Sequence, residues 1–146
     1  MAHQHRDYEA LMRRHGFRVT PQRQLILDAI CEGEGHSTPE QIYERVHAKA
    51  PAVNRATVYR TLDFLHELRL VFAADLGGGS MVYEIAGENP HHHLVCQSCG
   101  KVEEIPHQTV KGLFARIGRE QGFTVKTDHL ALFGLCRDCR REDPRS

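Results

Sequence analysis

Apolar residues recur at helical spacing through the first half of the chain, and each run is bounded by capping residues, glycine or proline. This pattern predicts helices over residues 8–15, 22–32 and 54–68. A further helix is predicted to run to about residue 50 from a cap at Ser37, because a glutamate follows that serine three residues later. The first half is therefore predicted to be mainly helical.

Two β-prone runs follow the helices, at residues 71–76 and 81–85, and a glycine-rich turn separates them. This arrangement predicts a β-hairpin. Helices followed by a hairpin are the element order of a winged helix-turn-helix, so we expect such a domain over residues 1–86. The small, polar segment Ala86–Pro90 is predicted to be a hinge.

The second half alternates strand-like and helix-like patterns. It predicts strands over residues 92–96, 102–105 and 124–133, and a helix over residues 110–121. The expected fold class is therefore α+β: the winged-helix domain plus a small C-terminal α/β domain over residues 87–146. So small a domain buries little apolar surface, and a bound structural metal would offset that deficit.

Four of the five cysteines form two Cys-x-x-Cys pairs: Cys96, Cys99, Cys136 and Cys139, and the last predicted strand is expected to carry the second pair. Two intervening residues allow both sulfurs of a pair to face one tetrahedral zinc ion. The N-terminus has no apolar signal core, which predicts a cytoplasmic protein, and in that compartment disulfides are rare. We therefore expect a structural Zn²⁺ site rather than disulfides, with Cys31 as a core residue.

Histidines and carboxylates predict a second metal site. The candidate donors are His36, Glu84, His91, His93 and Glu104. His91 and His93 lie two apart in a predicted strand and so share a face, while His92 points to the other. If all five converge, the nitrogen/oxygen set suits Fe²⁺, Mn²⁺ or Zn²⁺. The alternative is that His36 is a loop residue and the histidine run is a solvated cluster.

The start of the fourth predicted helix carries guanidinium, hydroxyl and aromatic groups, from Arg55, Thr57, Tyr59 and Arg60. In a helix-turn-helix this part of the second helix enters the major groove, where such groups contact thymine methyls, guanine or phosphate. An ordinary solvated helix start is the alternative. Net charge does not decide between them, because 19 Lys and Arg balance 19 Asp and Glu.

Four segments have distinctive sequences: GFRVTPQR at 16–23, NRATVYRTL at 54–62, HHHLVCQSCG at 91–100 and FGLC at 133–136. In these segments the chain resembles the ferric uptake regulator family of bacterial metal-dependent repressors. The resemblance implies a homodimer with an N-terminal winged-helix domain and a C-terminal dimerisation domain. It also implies binding of the metal-loaded dimer to AT-rich, near-palindromic DNA operators.

Residue by residue, the resemblance assigns the four paired cysteines to a structural zinc site and the five His/Glu donors to a regulatory site between the domains. It places Tyr59 and Arg60 in the recognition helix and Arg18 at the basic start of the helical domain. Many family members have a further C-terminal metal site. Here Pro90 and Lys111 occupy two of its places, so a third site built from His92, Asp128 and His129 departs from the pattern.

The His/Glu donor set favours an iron-sensing repressor. Zinc-, manganese- or peroxide-sensing members of the same family are the alternatives, although peroxide sensors tend to have Asp in place of Glu84 and Glu104. A metalloenzyme that uses Glu104 as a base is a more remote alternative, because five protein ligands leave little room for substrate. We therefore expect no catalysis and no small-molecule substrate, and no apolar run is long enough for a membrane span.

Overall fold

The computed structural model describes residues 8–33, 35–87, 90–127 and 129–142. The chain forms two compact units. The N-terminal unit extends to Ala73 and includes Ser80–Ala86, and the C-terminal unit comprises Ala74–Gly79 and the chain from Gly87 onward. The division into functional domains after residue 86 stays a prediction, and the predicted hinge includes Glu88 and Asn89, which lie outside the described residues.

The N-terminal unit contains four helices followed by a hairpin. These elements are α1 (Tyr8–Arg14), α2 (Pro21–Cys31), α3 (Pro39–Lys49), α4 (Arg55–Glu67), β1 (Val71–Asp75) and β2 (Met81–Ile85). Strands β1 and β2 pair in a two-stranded sheet. The Thr20 side chain caps α2 by accepting a hydrogen bond from the Arg23 N–H at 3.3 Å, as the Thr-Pro sequence predicts. The element order confirms the predicted winged-helix architecture.

The predicted cap of α3 is wrong by one residue. Thr38 is the cap: its hydroxyl accepts from the Gln41 N–H at 3.3 Å, while the Gln41 side chain accepts from the Thr38 N–H at 3.0 Å. Ser37 is instead fully buried and forms an antiparallel β-bridge with Tyr83. A glutamine can therefore complete the capping box that the sequence analysis assigned to a glutamate.

Apolar side chains from all four helices form the core of the N-terminal unit. The fully buried members include Met12, Ile26, Leu27, Ile30, Ile42, Val46, Val58, Leu62 and Leu65. Burying one such side chain contributes about 1.5–3 kcal/mol. This unit therefore has a hydrophobic core of its own.

The C-terminal unit is built on a three-stranded sheet. Its elements are β3 (His91–Cys96), β4 (Val102–Pro106), α5 (His107–Gln121), β5 (Ala131–Gly134) and α6 (Arg137–Glu142). The strand order is β4-β3-β5, with β4 antiparallel and β5 parallel to the central strand. In this register His93 lies opposite Glu104 on one side and Ala131 on the other.

Two predictions for this unit are wrong. The last strand is shorter than the predicted 124–133, because it begins only at Ala131. The second cysteine pair is not on that strand either: Cys136 follows it, and Cys139 lies in α6, a helix that the sequence analysis missed. The six residues of α6, RDCRRE, have no apolar stripe to reveal the helix.

Little apolar surface is buried inside the C-terminal unit. Among its described residues the buried apolar side chains are Ala74, Val95, Cys96 and Val110, whereas the large apolar side chains of Val102, Leu113, Phe123, Leu132, Phe133 and Leu135 are exposed. No helix in the described part of the chain combines the length and apolar character needed to cross a bilayer. The unit therefore depends on stabilisation beyond its own apolar packing.

Candidate metal centres and nucleic-acid surface

The four paired cysteines converge in the C-terminal unit. Their sulfur atoms all lie within 4.8 Å of one another, and the Sγ atoms of Cys99 and Cys136 are 3.8 Å apart. A disulfide would require about 2.0 Å. A tetrahedral zinc ion with Zn–S bonds of about 2.3 Å places its sulfurs about 3.8 Å from one another. The cluster therefore fits a zinc site and not a pair of disulfides.

Backbone groups around Cys96 favour the thiolate form that metals bind. The pKa of Cys96 is lowered from its ordinary value to about 6, first by a backbone hydrogen bond from Cys99 and then by one from Cys136. The Cys136 N–H lies 3.3 Å from the Cys96 sulfur. Zinc binds cysteine as thiolate, so Cys96 in particular is suited to bind a metal.

Cys31 lies apart from the cysteine cluster, on α2. Its sulfur is 3.7 Å from the Tyr8 hydroxyl oxygen, and burial raises the pKa of its thiol. A raised pKa disfavours the thiolate, which agrees with a packing role.

In the N-terminal unit, His36 and Glu84 meet. The His36 Nε2 atom lies 3.0 Å from a Glu84 carboxylate oxygen, and the glutamate is buried. The bridge between Ser37 and Tyr83 explains this contact, because the residues before and after an antiparallel pair lie opposite each other. The sheet-like contact thus brings one imidazole and one carboxylate together.

A buried polar network holds Ser37 in place beneath this pair. The Arg45 guanidinium donates to the Ser37 hydroxyl at 2.8 Å and to the Ala29 carbonyl at 3.0 Å. A Cβ at Gly33 would lie 1.9 Å from the Ser37 hydroxyl oxygen, so only glycine fits there without displacement. This network therefore fixes the backbone that carries His36.

In the C-terminal unit, three histidines form one cluster. The rings of His91 and His93 are 5.0 Å apart, and the His129 ring is 4.8 Å from each of them. Glu104 projects from the adjacent strand, with its oxygen 3.7 Å from His91 Nε2 and its side chain 61% exposed. From the sequence, His129 is predicted to belong to a third site, because no spacing rule connects it with a strand that lies more than thirty residues earlier.

His92, on the opposite face of β3, is fully buried. Its Nδ1 accepts a hydrogen bond from the Leu130 N–H at 2.9 Å, and its Nε2 is 2.9 Å from His107 Nδ1. Burial, and then the neighbouring His107, lower the pKa of His92. Asp128, the other predicted member of the third site, lies outside the described residues.

The predicted DNA-contacting residues occupy the first turns of α4 and the segment before α2. Arg55, Tyr59 and Arg60 are exposed on α4, and Arg18 is exposed before α2. Asn54 caps α4, accepting from the Thr57 N–H at 2.8 Å and from its hydroxyl at 2.9 Å. Thr57 therefore contributes to the cap, while the other side chains remain on the surface.

Residues 14–133 of the chain match the model of the Ferric uptake regulator family. The chain belongs to this family. It is 35% identical to the ferric uptake regulation protein of Bacillus subtilis, over 87% of this chain and 88% of that protein. It is 28% identical to the peroxide operon regulator of the same species, over 97% of each chain.

The fold is also similar to that of solved family members. The structure of the ferric uptake regulator from Pseudomonas aeruginosa with manganese superposes with a TM-score of 0.72 and is 29% identical, covering 90% of this chain and 99% of that one. Ferric uptake regulators are metal-responsive transcriptional repressors and not enzymes. The chain is therefore a metal-responsive DNA-binding regulator, which confirms the functional class predicted from the sequence. Because its relatives include both an iron-named and a peroxide-named regulator, family membership does not identify the metal.

Proposed function

We propose that this chain is an iron-responsive cytoplasmic repressor that binds an AT-rich, near-palindromic operator as a metal-loaded homodimer. The observation that carries the proposal is the presence of an imidazole–carboxylate donor set in each unit: His36 with Glu84, and His91 with His93 near Glu104. Mixed nitrogen and oxygen donors suit Fe²⁺, with Mn²⁺ and Zn²⁺ as alternatives.

In this proposal the two metals have different roles. Cys96, Cys99, Cys136 and Cys139 hold a structural Zn²⁺, because four clustered thiolates form a closed tetrahedral site. The regulatory cation takes its donors from the His/Glu sets of both units. A bound cation would offset the negative charge of the buried Glu84 carboxylate, which already lies 3.0 Å from His36 Nε2. Because the cation is bound by donors of both units, it favours the conformations of the protein that bind the operator. This coupling between metal binding and operator binding is typically worth about 1–3 kcal/mol.

Helix α4 is the proposed DNA-reading element. Tyr59 and Arg60 lie exposed on its first two turns, where a recognition helix presents its side chains to base edges. The Tyr59 ring is suited to thymine methyls, and Arg55 and Arg18 are suited to phosphate. An AT-rich operator agrees with this aromatic contact.

The surface of the C-terminal unit supports a homodimer. Strand β5 is an edge strand and carries the exposed side chains of Leu132 and Phe133. Leu113 on α5 and Phe123 after it are also exposed, at 52% and 63%. Exposed apolar side chains along an open strand edge are typical of an interface, and a second copy of the chain would cover them.

Operator binding measured during an anaerobic metal titration tests the proposal. We expect Fe²⁺ to tighten binding of the zinc-loaded protein about 5- to 150-fold, and Mn²⁺, its redox-stable substitute, to do so at higher concentrations. The His93→Ala variant should lose this response while keeping its zinc, and His15→Ala, which changes an exposed histidine directly after α1, should keep it. Operator affinity that is independent of metal in the wild-type protein would refute the proposed function.

A further inference from the structure

In the C-terminal unit, His129 lies with His91 and His93, a grouping that the sequence does not indicate. His91, His93 and His129 each offer a ring nitrogen, and these nitrogens lie within 4.8 Å of one another. The three ring centroids form a nearly equilateral triangle with sides of 4.8–5.0 Å. An ion bound to three imidazoles at about 2.0–2.1 Å needs nitrogens separated by little more than 3 Å, which small ring rotations can provide.

The position of His129 is fixed by its neighbour in the chain. The Leu130 carbonyl accepts a hydrogen bond from the His93 N–H at 2.8 Å, and the Leu130 N–H donates to His92 Nδ1 at 2.9 Å. Strand β5 then continues in parallel register, with Ala131 opposite His93. The N–H and the carbonyl of Leu130 are therefore both hydrogen-bonded to residues of β3. This places the preceding residue, His129, beside His91 and His93.

His92 and His107 support this arrangement from the other face of the strand. Because His92 Nδ1 accepts from Leu130, a neutral His92 carries its proton on Nε2 and donates it to His107 Nδ1, 2.9 Å away. His92 is fully buried, so its ring is held by packing as well as by both nitrogens. These two histidines thus act as positioning residues for the segment that carries His129.

Glu104 is less well placed than His129. Its side chain is 61% exposed, and its nearer oxygen is 3.7 Å from His91 Nε2, beyond hydrogen-bonding distance. Binding an ion would cost the exposed Glu104 side chain more conformational freedom than it would cost the His129 ring, which already packs against two other rings. It remains close enough to influence the cluster by charge.

We infer that His129, rather than Glu104, is the third metal ligand that the C-terminal unit contributes to the regulatory site. This inference rests on the proposed function and specifies the chemistry of its site. Replacing a carboxylate by an imidazole removes one negative charge and makes the site richer in nitrogen. Imidazole suits Fe²⁺, Co²⁺ and Zn²⁺, whereas carboxylate suits Mn²⁺, so the site should discriminate against Mn²⁺ more than a two-carboxylate site would.

Cobalt(II) is a suitable probe for the test, because it shifts the N–H resonances of bound imidazoles far from the rest of the proton spectrum. Full-length protein is first loaded with zinc at the cysteine cluster, and Co²⁺ is then added. We expect His129→Ala to show one shifted imidazole resonance fewer than the wild type and to bind Co²⁺ at least about 10-fold more weakly in chelator competition. Glu104→Gln should keep every shifted resonance and lose less affinity.

One further variant and one further measurement separate a lost ligand from a disturbed fold. In His129→Gly, added imidazole should restore Co²⁺ affinity, and the Leu130 amide of His129→Ala should exchange with solvent as slowly as in the wild type. Unchanged resonances and affinity in His129→Ala, or an equal loss in Glu104→Gln, would overturn the inference. If His36→Ala binds Co²⁺ like the wild type while His129→Ala loses a resonance, the inference stands and the proposed joining of the two units fails.

Discussion

Ser37 illustrates how a single buried hydroxyl can position a proposed metal ligand next to it. It is fully buried, its backbone pairs with Tyr83, and its side chain accepts from Arg45 at 2.8 Å. Buried polar groups of this kind are costly to leave without a partner, about 1–3 kcal/mol each. The position of His36 therefore depends on contacts that it does not itself make.

Substitution of Gly33 tests this dependence. In Gly33→Ala the new methyl group would lie 1.9 Å from the Ser37 hydroxyl oxygen and 2.9 Å from an Arg45 nitrogen. We expect the displacement to lower the free energy of unfolding of the N-terminal unit by about 1–3 kcal/mol and to weaken regulatory metal binding. Denaturant unfolding followed by circular dichroism, together with chelator competition, measures both effects.

Gly78→Ala is the matched control, because a Cβ there would have nothing within 4 Å. It should leave stability and metal affinity near their wild-type values. If Gly33→Ala behaves in the same way, the serine–arginine network does not position His36.

At the scale of the element, α3 controls part of the proposed DNA-reading surface of α4. Glu40, in the first turn of α3, forms an ion pair with Arg55 and accepts a hydrogen bond from the Tyr59 hydroxyl at 2.9 Å. The Arg55 guanidinium also lies over the Tyr43 ring, 4.6 Å from its centroid. Two side chains proposed to contact DNA are therefore held by one carboxylate in the DNA-free protein.

We expect Glu40→Gln to tighten operator binding about fivefold, because an exposed ion pair that DNA must break is worth up to about 1 kcal/mol. Removing this negative charge also reduces repulsion of the phosphate backbone. Operator affinity measured over a range of salt concentrations at saturating metal checks the prediction. Glu44→Gln, which changes another exposed glutamate one turn further along α3, controls for net charge. Equal effects of the two variants would show that Glu40 has no specific role.

The sequence predicted the N-terminal elements well because their signals are local. The Thr20-Pro21 cap, the apolar stripes and the glycine turn each act over a few residues, and the observed bounds agree closely. The prediction that Ser37 caps α3 was wrong for a non-local reason. Ser37 pairs with Tyr83 in a β-bridge, and Thr38 caps the helix instead. Local rules cannot detect that competition.

The C-terminal unit was harder to predict because its arrangement depends on distant pairing. Thr124 and Val125 favour strand by propensity, yet pairing with β3 begins only near Ala131. The same register brings His129 to His91 and His93, a contact that no spacing in the sequence indicates. The cysteine pairs were the exception, since a Cys-x-x-Cys turn indicates its chemistry wherever it lies.

At the scale of the whole molecule, apolar burial is distributed unevenly. The described hydrophobic core cluster consists entirely of residues from the N-terminal unit. The C-terminal unit buries few apolar side chains and contains the cysteine cluster. Metal binding to such a cluster contributes directly to the free energy of folding, so the stability of the C-terminal unit should depend on zinc.

Removal of zinc should therefore affect the two units differently. After treatment with a strong chelator, or in Cys136→Ser, we expect the backbone amides of β3, β4 and β5 to lose protection from hydrogen exchange. The amides of α2 and α4 should stay protected, since their core is intact. Exchange measured by mass spectrometry on peptides from each unit checks this, with Cys31→Ser as a control that alters a cysteine outside the cluster. Equal protection of the β3 amides with and without zinc would contradict the prediction.

The two cysteine pairs also have a topological consequence. Residues 100–135 begin and end at the cluster, so this stretch, including β4, α5 and β5, forms a ring closed by sulfur contacts and by the parallel ladder of β3 with β5. A protease that cuts once inside this ring should produce two peptides that migrate together until a denaturant or chelator separates them. A break in the backbone within α5 should therefore disrupt the unit less than loss of the cysteine cluster, where the ring closes.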